Sequence, residues 1–169
     1  MRTNLFLIIS LFLSVTAWSL DIGEKAPDFA LLEINTQEVF TLSDWRGTWV
    51  LLDFCATDCQ PCMKELPGVL TLPDKIEDMQ LVLVAIDEEG SKLVKPFFKS
   101  KGFKMGVGSW LCCDPRCRIA DTYGVSSIPH AVLINPDGKI CGIFIGSEQG
   151  DEDTTDAIMK AYQDSISGE

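Results

Sequence analysis

The chain has 169 residues, of which 25 are Asp or Glu and 14 are Lys or Arg, and its formal net charge is −11 at pH 7. This charge excludes a nucleic-acid binder that depends on bulk electrostatics, because phosphate backbones attract basic surfaces. The hydrophobic share of 46% is that of a globular protein with one sizeable core, which argues against disorder and repeat architectures. Seven cysteines, an odd number, leave at least one thiol without a partner inside the chain.

Residues 1–19 have the pattern of a secretory signal peptide. One positive charge precedes an apolar run, and Ala17 and Ser19 are small residues of the kind that a signal peptidase recognises. The apolar run is shorter than the about 20 residues that span a bilayer, so cleavage is favoured over an uncleaved anchor. We therefore expect residues 20–169 to form one domain in the periplasm or cell envelope, with membrane contact only if the first segment is retained.

The first half of this domain begins with a hairpin and a buried strand. Short apolar runs at residues 28–34 and 39–42 flank a polar turn, which predicts an N-terminal β-hairpin. Residues 49–56 are apolar apart from Asp53 and interrupted only by cysteine, a pattern typical of a central strand covered on both faces.

The second half alternates strand and helix patterns. The predicted strands are residues 81–86, 110–113, 131–134 and 140–145. The predicted helices are residues 91–104, 116–123 and 154–166. The turn Asn-Pro-Asp-Gly at 135–138 joins the last two strands into a hairpin. This order predicts an α/β fold with a central mixed sheet flanked by helices on both faces.

Residues 59–62 read Cys-Gln-Pro-Cys, and this CxxC spacing is a candidate for thiol-disulfide exchange. They open a predicted helix with a kink or stop at Pro67. A thiol at a helix N-terminus meets unpaired backbone N–H groups and the positive end of the helix dipole, which favour the thiolate that attacks a disulfide. Cys59 is therefore the candidate nucleophile, and Cys62, one turn later, is the candidate resolving thiol.

Asp53, in the strand that leads to this motif, is the candidate proton relay. The resolving thiol must lose a proton while buried, and a desolvated carboxyl has a raised pKa that lets it exchange protons near neutral pH. An outward-facing strand carboxylate is the alternative that this residue alone leaves open. The CxxC spacing alone also fits a zinc site or a structural disulfide.

Residues 50–67, VLLDFCATDCQPCMKELP, resemble the active-site segment of thioredoxin-like envelope thiol-disulfide oxidoreductases of the TlpA and ResA type. Residues 123–129, YGVSSIP, resemble the second signature of that family, and residues 23–29 and 42–47 are also similar to it. The resemblance covers nearly all of residues 20–169. It implies a thioredoxin-like fold with an N-terminal hairpin and an inserted helix-strand unit.

The same resemblance implies a secreted enzyme that reduces protein disulfides or, in cytochrome c maturation, keeps cysteines ready for cofactor attachment. Its redox centre would be the reversible Cys59–Cys62 disulfide, with no metal or other cofactor. Pro129 would be cis and, with Ile128, would dock the substrate backbone. The expected partners are protein thiol or disulfide substrates and an unidentified envelope electron donor, and the chain is expected to be a monomer.

Three positions depart from the family pattern. Cys55 and Asp58 stand where the family commonly has Trp, and His130 follows Pro129 where Thr is common. The Asp58 carboxylate opposes thiolate formation on Cys59, so we expect a less acidic thiol and a more reducing enzyme. His130 is a candidate pH modulator beside the CxxC pair, and a buried strand histidine without that role is the alternative.

Cys112, Cys113 and Cys117 are an unusual cluster. The strand that ends at Cys113 is predicted to run parallel to strand 49–56, which places the cluster at the active-site edge of the sheet. We expect Cys117 to form a local structural disulfide with Cys112 or Cys113. The alternatives are an auxiliary dithiol that exchanges electrons with the CxxC pair, and a metal site shared with that pair.

Two further functions compete with the leading one. A peroxidase of the peroxiredoxin type shares the fold but needs a Thr three residues before its reactive cysteine, where this chain has Ala56. A non-enzymatic copper-binding or copper-delivery protein is favoured by the cysteines and disfavoured by the single His and the lack of a Met-rich run. The metal ligands would be Cys59, Cys62, Cys113 and Cys117.

Overall fold

The computed structural model describes residues 20–146 and 152–168, so the predicted signal peptide lies outside the described residues. The strands are β1 (Ala30–Leu32), β2 (Val39–Thr41), β3 (Trp49–Cys55), β4 (Met79–Ala85), β5 (Ser109–Cys113), β6 (His130–Ile134) and β7 (Ile140–Ile145). The helices are α1 (Gln60–Val69), α2 (Leu72–Lys75), α3 (Ser91–Lys101), α4 (Arg118–Thr122) and α5 (Glu152–Ser167), with a 3-10 helix at Leu42–Trp45. None of the helices described is both long and apolar enough to cross a bilayer.

A five-stranded mixed sheet in the order β5-β4-β3-β6-β7 forms the centre of the domain. β3, β4 and β5 run parallel, whereas β6 and β7 are antiparallel to their neighbours. β1 and β2 form the predicted N-terminal hairpin as a separate two-stranded sheet. Since parallel strands point the same way, the carboxyl ends of β3, β4 and β5 meet at one edge of the sheet.

Side-chain alternation along β3 divides the core into two layers. Leu51 belongs to the layer that also contains the buried side chains of α1, α3 and α5. Val50 and Leu52 belong to the opposite layer, with the hairpin, the 3-10 helix and α4. All seven residues of β3 are buried, which explains why this segment is apolar almost throughout.

Of the kink or stop predicted at Pro67, the stop is wrong, because α1 continues through this residue to Val69. A proline inside a helix removes one backbone hydrogen bond and costs about 3 kcal/mol. Leu66 and Val69 flank it and are 1% and 0% exposed, and burying two such side chains offsets a cost of this size.

Two other helices are shorter than predicted. α3 ends at Lys101 because Gly102 adopts the left-handed conformation, with φ 73°, that commonly terminates a helix. α4 begins at Arg118 because the Asp114 carboxylate accepts hydrogen bonds of 2.7–3.0 Å from the N–H groups of residues 118–120. The cap therefore fixes where this helix starts.

Candidate active site

Cys59 and Cys62 form a disulfide at the carboxyl edge of the sheet, with their Cα atoms 5.3 Å apart. Cys59 is the N-cap of α1, and its Sγ accepts a hydrogen bond of 3.2 Å from the backbone N–H of Cys62. Cys59 is half-buried, whereas Cys62 is only 3% exposed. An incoming sulfur can therefore reach Cys59, while Cys62 is shielded inside the helix.

The position of Cys59 favours a thiolate in the reduced protein. Its sulfur faces the first N–H groups of α1, which have no partner within the helix, and the positive end of the helix dipole. Both features stabilise negative charge on sulfur. The arrangement can therefore carry out thiol-disulfide exchange, with the more accessible sulfur, that of Cys59, attacking first.

Asp53 is buried beneath this helix, which excludes the outward-facing alternative. It lies two residues after Leu51 on β3, so its side chain points to the same face, into the layer that contains α1, and it is 3% exposed. Burial raises the pKa of Asp53 to about 8, and the charge of Glu65 contributes to the same shift. Its Oδ1 atom has no hydrogen-bond partner among the described residues. This carboxyl can exchange a proton near neutral pH.

Glu65 is the acidic residue that the sequence analysis missed. It is 2% exposed, and it shares the buried face of α1 with Cys62, Leu66 and Val69. The helical spacing of these residues could have revealed it, because an acid on an otherwise apolar stripe is uncommon. A second buried carboxylate near Asp53 disfavours two negative charges and so keeps a proton in the pair.

Ile128 and Pro129 directly precede β6. The Ile128-Pro129 peptide bond is cis, Pro129 is buried and Ile128 is half-buried. Gly146 donates its N–H to the Pro129 carbonyl at 2.9 Å. A Cβ atom at Gly146 would collide with the Pro129 ring and lie 3.3 Å from Glu65 Oε2. The proline is therefore close to the helix that carries the CxxC pair.

His130 lies on the opposite face of the sheet from Asp53. In the β3–β6 register His130 is paired with Phe54, whereas Asp53 is paired with Ala131. His130 is 4% exposed, it packs edge-on to Phe54 at 6.2 Å, and burial lowers its pKa. Neither ring nitrogen has a hydrogen-bond partner among the residues described. The structure thus buries His130 in an apolar layer that α1 does not enter.

The three clustered cysteines are free thiols, so the expected local disulfide is not formed. Cys112 and Cys113 point to opposite faces of β5, since Cys112 packs in the hairpin layer and Cys113 against the layer of α1. Cys117 precedes α4 with a left-handed backbone, φ 52°. β5 runs parallel to β4 and β4 to β3, as predicted, which brings Cys113 to the same sheet edge as the CxxC motif.

Cys55 and Cys113 lie in register on either side of Ala85, on the same face of the sheet. Strands are spaced about 4.8 Å apart, so two strand spacings separate their Cα atoms by about 10 Å. A disulfide requires Cα atoms within about 7 Å, which excludes a bond between these two thiols without backbone movement. Burial is the main cause that raises the pKa of both, to about 11 for Cys113.

The copper site considered for Cys59, Cys62, Cys113 and Cys117 is not formed. Within residues 20–146 and 152–168, no group of three or more His, Cys, Asp or Glu side chains has an arrangement that could bind a metal ion. The redox-active group of this site is the cysteine pair itself.

We predict that the oxidised Asp53→Asn variant becomes increasingly more stable than the oxidised unmodified chain as the pH rises. Asp53 has a folded pKa of about 8 against an ordinary value of 3.8, so its contribution to stability is present below pH 4 and is lost as the pH rises to about 8. Asn does not titrate, so the variant has no such loss. The unfolding free energy of Asp53→Asn minus that of the unmodified chain should therefore grow by about 1.4 kcal/mol per pH unit in this window. Urea denaturation from pH 4 to 8 measures it.

Asp74→Asn, at an exposed position of α2, is the matched control for this experiment. Its unfolding free energy should keep the pH dependence of the unmodified chain. Parallel pH profiles for Asp53→Asn and the unmodified chain would show that Asp53 is ionised in the folded protein.

We predict that His130→Phe removes a loss of stability in acid. Burial lowers the folded pKa of His130 below its ordinary 6.5, so the stability present above pH 6.5 is lost as the pH falls through the folded pKa. The unmodified chain should therefore weaken relative to His130→Phe between pH 7 and 5, by up to about 1.4 kcal/mol per unit. Since the chain has one His, its ring signals in NMR titrate without overlap and give the pKa directly. A ring pKa at or above 6.5 would contradict the burial effect.

Comparison with known proteins agrees with this geometry. The model of the AhpC/TSA family matches residues 22–143. Thiol-disulfide oxidoreductase ResA of Bacillus subtilis is 32% identical over 155 residues, which cover 86% of this chain and 84% of ResA.

Two solved structures share the fold. A Chlorobium tepidum protein assigned as the thiol:disulfide interchange protein DsbE superimposes with a TM-score of 0.72 at 29% identity, covering 86% of this chain and 97% of that one. The exposed lipoprotein thioredoxin Etrx1 of Streptococcus pneumoniae superimposes with a TM-score of 0.63 at 25% identity, covering 82% of this chain and 99% of Etrx1. The expected thioredoxin-like fold is confirmed. The chain belongs to the AhpC/TSA family, within its ResA-like thiol-disulfide oxidoreductases.

Proposed function

We propose that this oxidoreductase reduces disulfides in proteins of the cell envelope, with Cys59 as nucleophile, Cys62 as resolving thiol and Asp53 as proton relay. The observation that carries this proposal is the difference in access within one pair. Cys59 is half-buried at the helix start, while Cys62 is 3% exposed in the layer that also contains Asp53.

The reaction consists of two exchanges that transfer two electrons. The Cys59 thiolate attacks one sulfur of the substrate disulfide, forming a mixed disulfide and releasing the other substrate sulfur as a thiolate that takes a proton from water. Cys62 then passes its proton to the Asp53 carboxylate and attacks Cys59 Sγ. The second substrate thiolate leaves, and the Cys59–Cys62 disulfide remains.

The pKa of Asp53 suits this relay. A carboxyl with a pKa of about 8 accepts a proton from a thiol far more readily than an ordinary aspartate, and it releases that proton near neutral pH. Because Asp53 and Cys62 are each only 3% exposed, the transfer would take place away from solvent. Electrons from a separate envelope donor would then reduce the disulfide for the next cycle.

Ile128 and Pro129 are the proposed docking segment for the substrate backbone. Ile128 is half-buried next to the cis bond, and its backbone would pair with an extended substrate segment. Two grooves of the described surface, of about 770 and 320 Å³, are lined by residues such as Met105, and neither lining includes Cys59 or Cys62. The half-buried Ile128 beside the cis bond supports a protein segment as the substrate.

The sequence of residues 1–19 supports export, and the proposed compartment is the periplasm or cell envelope. We further propose that residues 20–169 act as a monomeric domain after removal of this segment. We also propose a role in cytochrome c maturation. In that role the enzyme would keep cysteines reduced for cofactor attachment.

We predict that Cys62→Ala traps substrates as mixed disulfides on Cys59, because the second exchange has lost its attacking sulfur. Cys59→Ala should trap none. Non-reducing electrophoresis of the exported protein, followed by mass spectrometry of the trapped species, measures both outcomes.

The control is Cys62→Ala combined with Cys141→Ala, which removes a free, half-buried thiol elsewhere in the sheet and should leave trapping unchanged. Equal trapping without Cys59 would overturn the assignment of the nucleophile. Rapid peroxide consumption by the reduced protein, with no turnover of protein disulfides, would favour the peroxidase alternative despite Ala56.

A further inference from the structure

Asp87 joins the loop after β4 to the loop that precedes Cys59. The backbone N–H of Thr57 donates to both carboxylate oxygens of Asp87, at 3.0 and 3.3 Å, and the Thr57 hydroxyl donates to Oδ1 at 2.5 Å. Asp87 is only 8% exposed. The end of β3 is therefore tied to the neighbouring loop by a buried carboxylate.

These hydrogen bonds act on the turn that positions the half-buried sulfur of Cys59. The backbone N–H of Cys59 donates to the Ala56 carbonyl at 3.1 Å, which closes a turn around Thr57. At the end of β3, just before this turn, the Cys55 carbonyl accepts a hydrogen bond of 2.9 Å from the backbone N–H of Ile86. This bond extends the ladder between β3 and β4. Anchoring Thr57 therefore fixes where the turn places Cys59 at the start of α1.

The charge of Asp87 is not neutralised by a cation. Among the side chains of the described ranges, no Lys, Arg or His lies within ion-pair distance of it. Its charge also acts on the sheet edge that carries the CxxC motif. Burial is the largest cause of the raised pKa of Cys55 and of Cys113, and the charge of Asp87 contributes to both shifts. The other acidic side chains that raise the pKa of these two thiols are Asp53, Glu65 and Glu33, and the exposed Asp58 directly precedes Cys59.

We propose that Asp87 is a positioning residue for the redox pair: it anchors the turn that presents Cys59, and its uncompensated charge disfavours the Cys59 thiolate. A thiolate that is harder to form makes the reduced pair less stable and the enzyme more reducing. The two effects have different origins, since one depends on the hydrogen bonds of Thr57 and the other on the negative charge.

Two variants separate these effects. Asp87→Asn retains an accepting oxygen and removes the charge, whereas Thr57→Val removes the hydroxyl and retains the charge. Asp87→Asn should lower the pKa of the Cys59 thiol by about one unit and make the reduction potential less negative. Thr57→Val should not lower that pKa, and it should slow disulfide exchange several-fold at a pH where Cys59 is fully ionised.

The thiol pKa is measured on the reduced full-length domain from the rate of alkylation against pH, with peptide mass mapping to identify Cys59 among the seven cysteines. The potential comes from equilibration with glutathione buffers. Asp74→Asn, an exposed charge removal on α2, is the control and should change neither quantity. Asp87→Ser replaces Asp87→Asn if the latter does not fold, with the same expected directions.

An unchanged Cys59 pKa and potential in Asp87→Asn would overturn the proposal. A fall of the Cys59 pKa in Thr57→Val equal to that in Asp87→Asn would also overturn it, because a loosened turn would then explain both results without the charge. These readouts depend on thiol chemistry at Cys59 and not on the identity or direction of the physiological substrate reaction.

Discussion

A carboxyl buried under the CxxC helix is the constraint on which the rest of the site depends. Asp53 can remain in the core at 3% exposure because it keeps its proton up to a pKa of about 8. The same burial that costs stability gives a proton acceptor suited to a buried thiol. Glu65 strengthens the effect, since two carboxylates in one layer resist being charged together. Stability and reactivity at this site are therefore opposed, and the enzyme retains the less stable arrangement.

The sheet decides which side chains can take part. Parallel β3, β4 and β5 bring their following loops to one edge, where Thr57 and Asp87 meet and Cys59 is presented. Alternation then divides neighbouring residues between the two core layers. It places Asp53 under α1 and buries His130 on the other side, although both lie in adjacent strands.

Local patterns in the sequence predicted the strands, the CxxC helix start and the helices α3, α4 and α5, because apolar periodicity and turn residues act over a few positions. They did not predict the short α2 or the 3-10 helix. What they missed depends on contacts between distant segments. The role of Asp87 requires the pairing of two loops 30 residues apart, and the face of His130 requires the register of β6 against β3. Pro67 failed as a stop because burial in the tertiary structure outweighs a local preference. Glu65 was within reach of sequence reasoning, from its place on the buried stripe of α1.

The most direct test of this account is the titration of the Asp53 carboxyl itself. In oxidised protein labelled with ¹³C at aspartate carboxyl carbons, the signal of Asp53 is assigned by its loss in Asp53→Asn and followed from pH 3 to 10. A midpoint of about 8 is expected, because the carboxyl is buried and faces the charge of Glu65. A midpoint near the ordinary value of 3.8 would contradict it, because Asp53 would then be a charged group unable to take the proton of Cys62 efficiently at neutral pH.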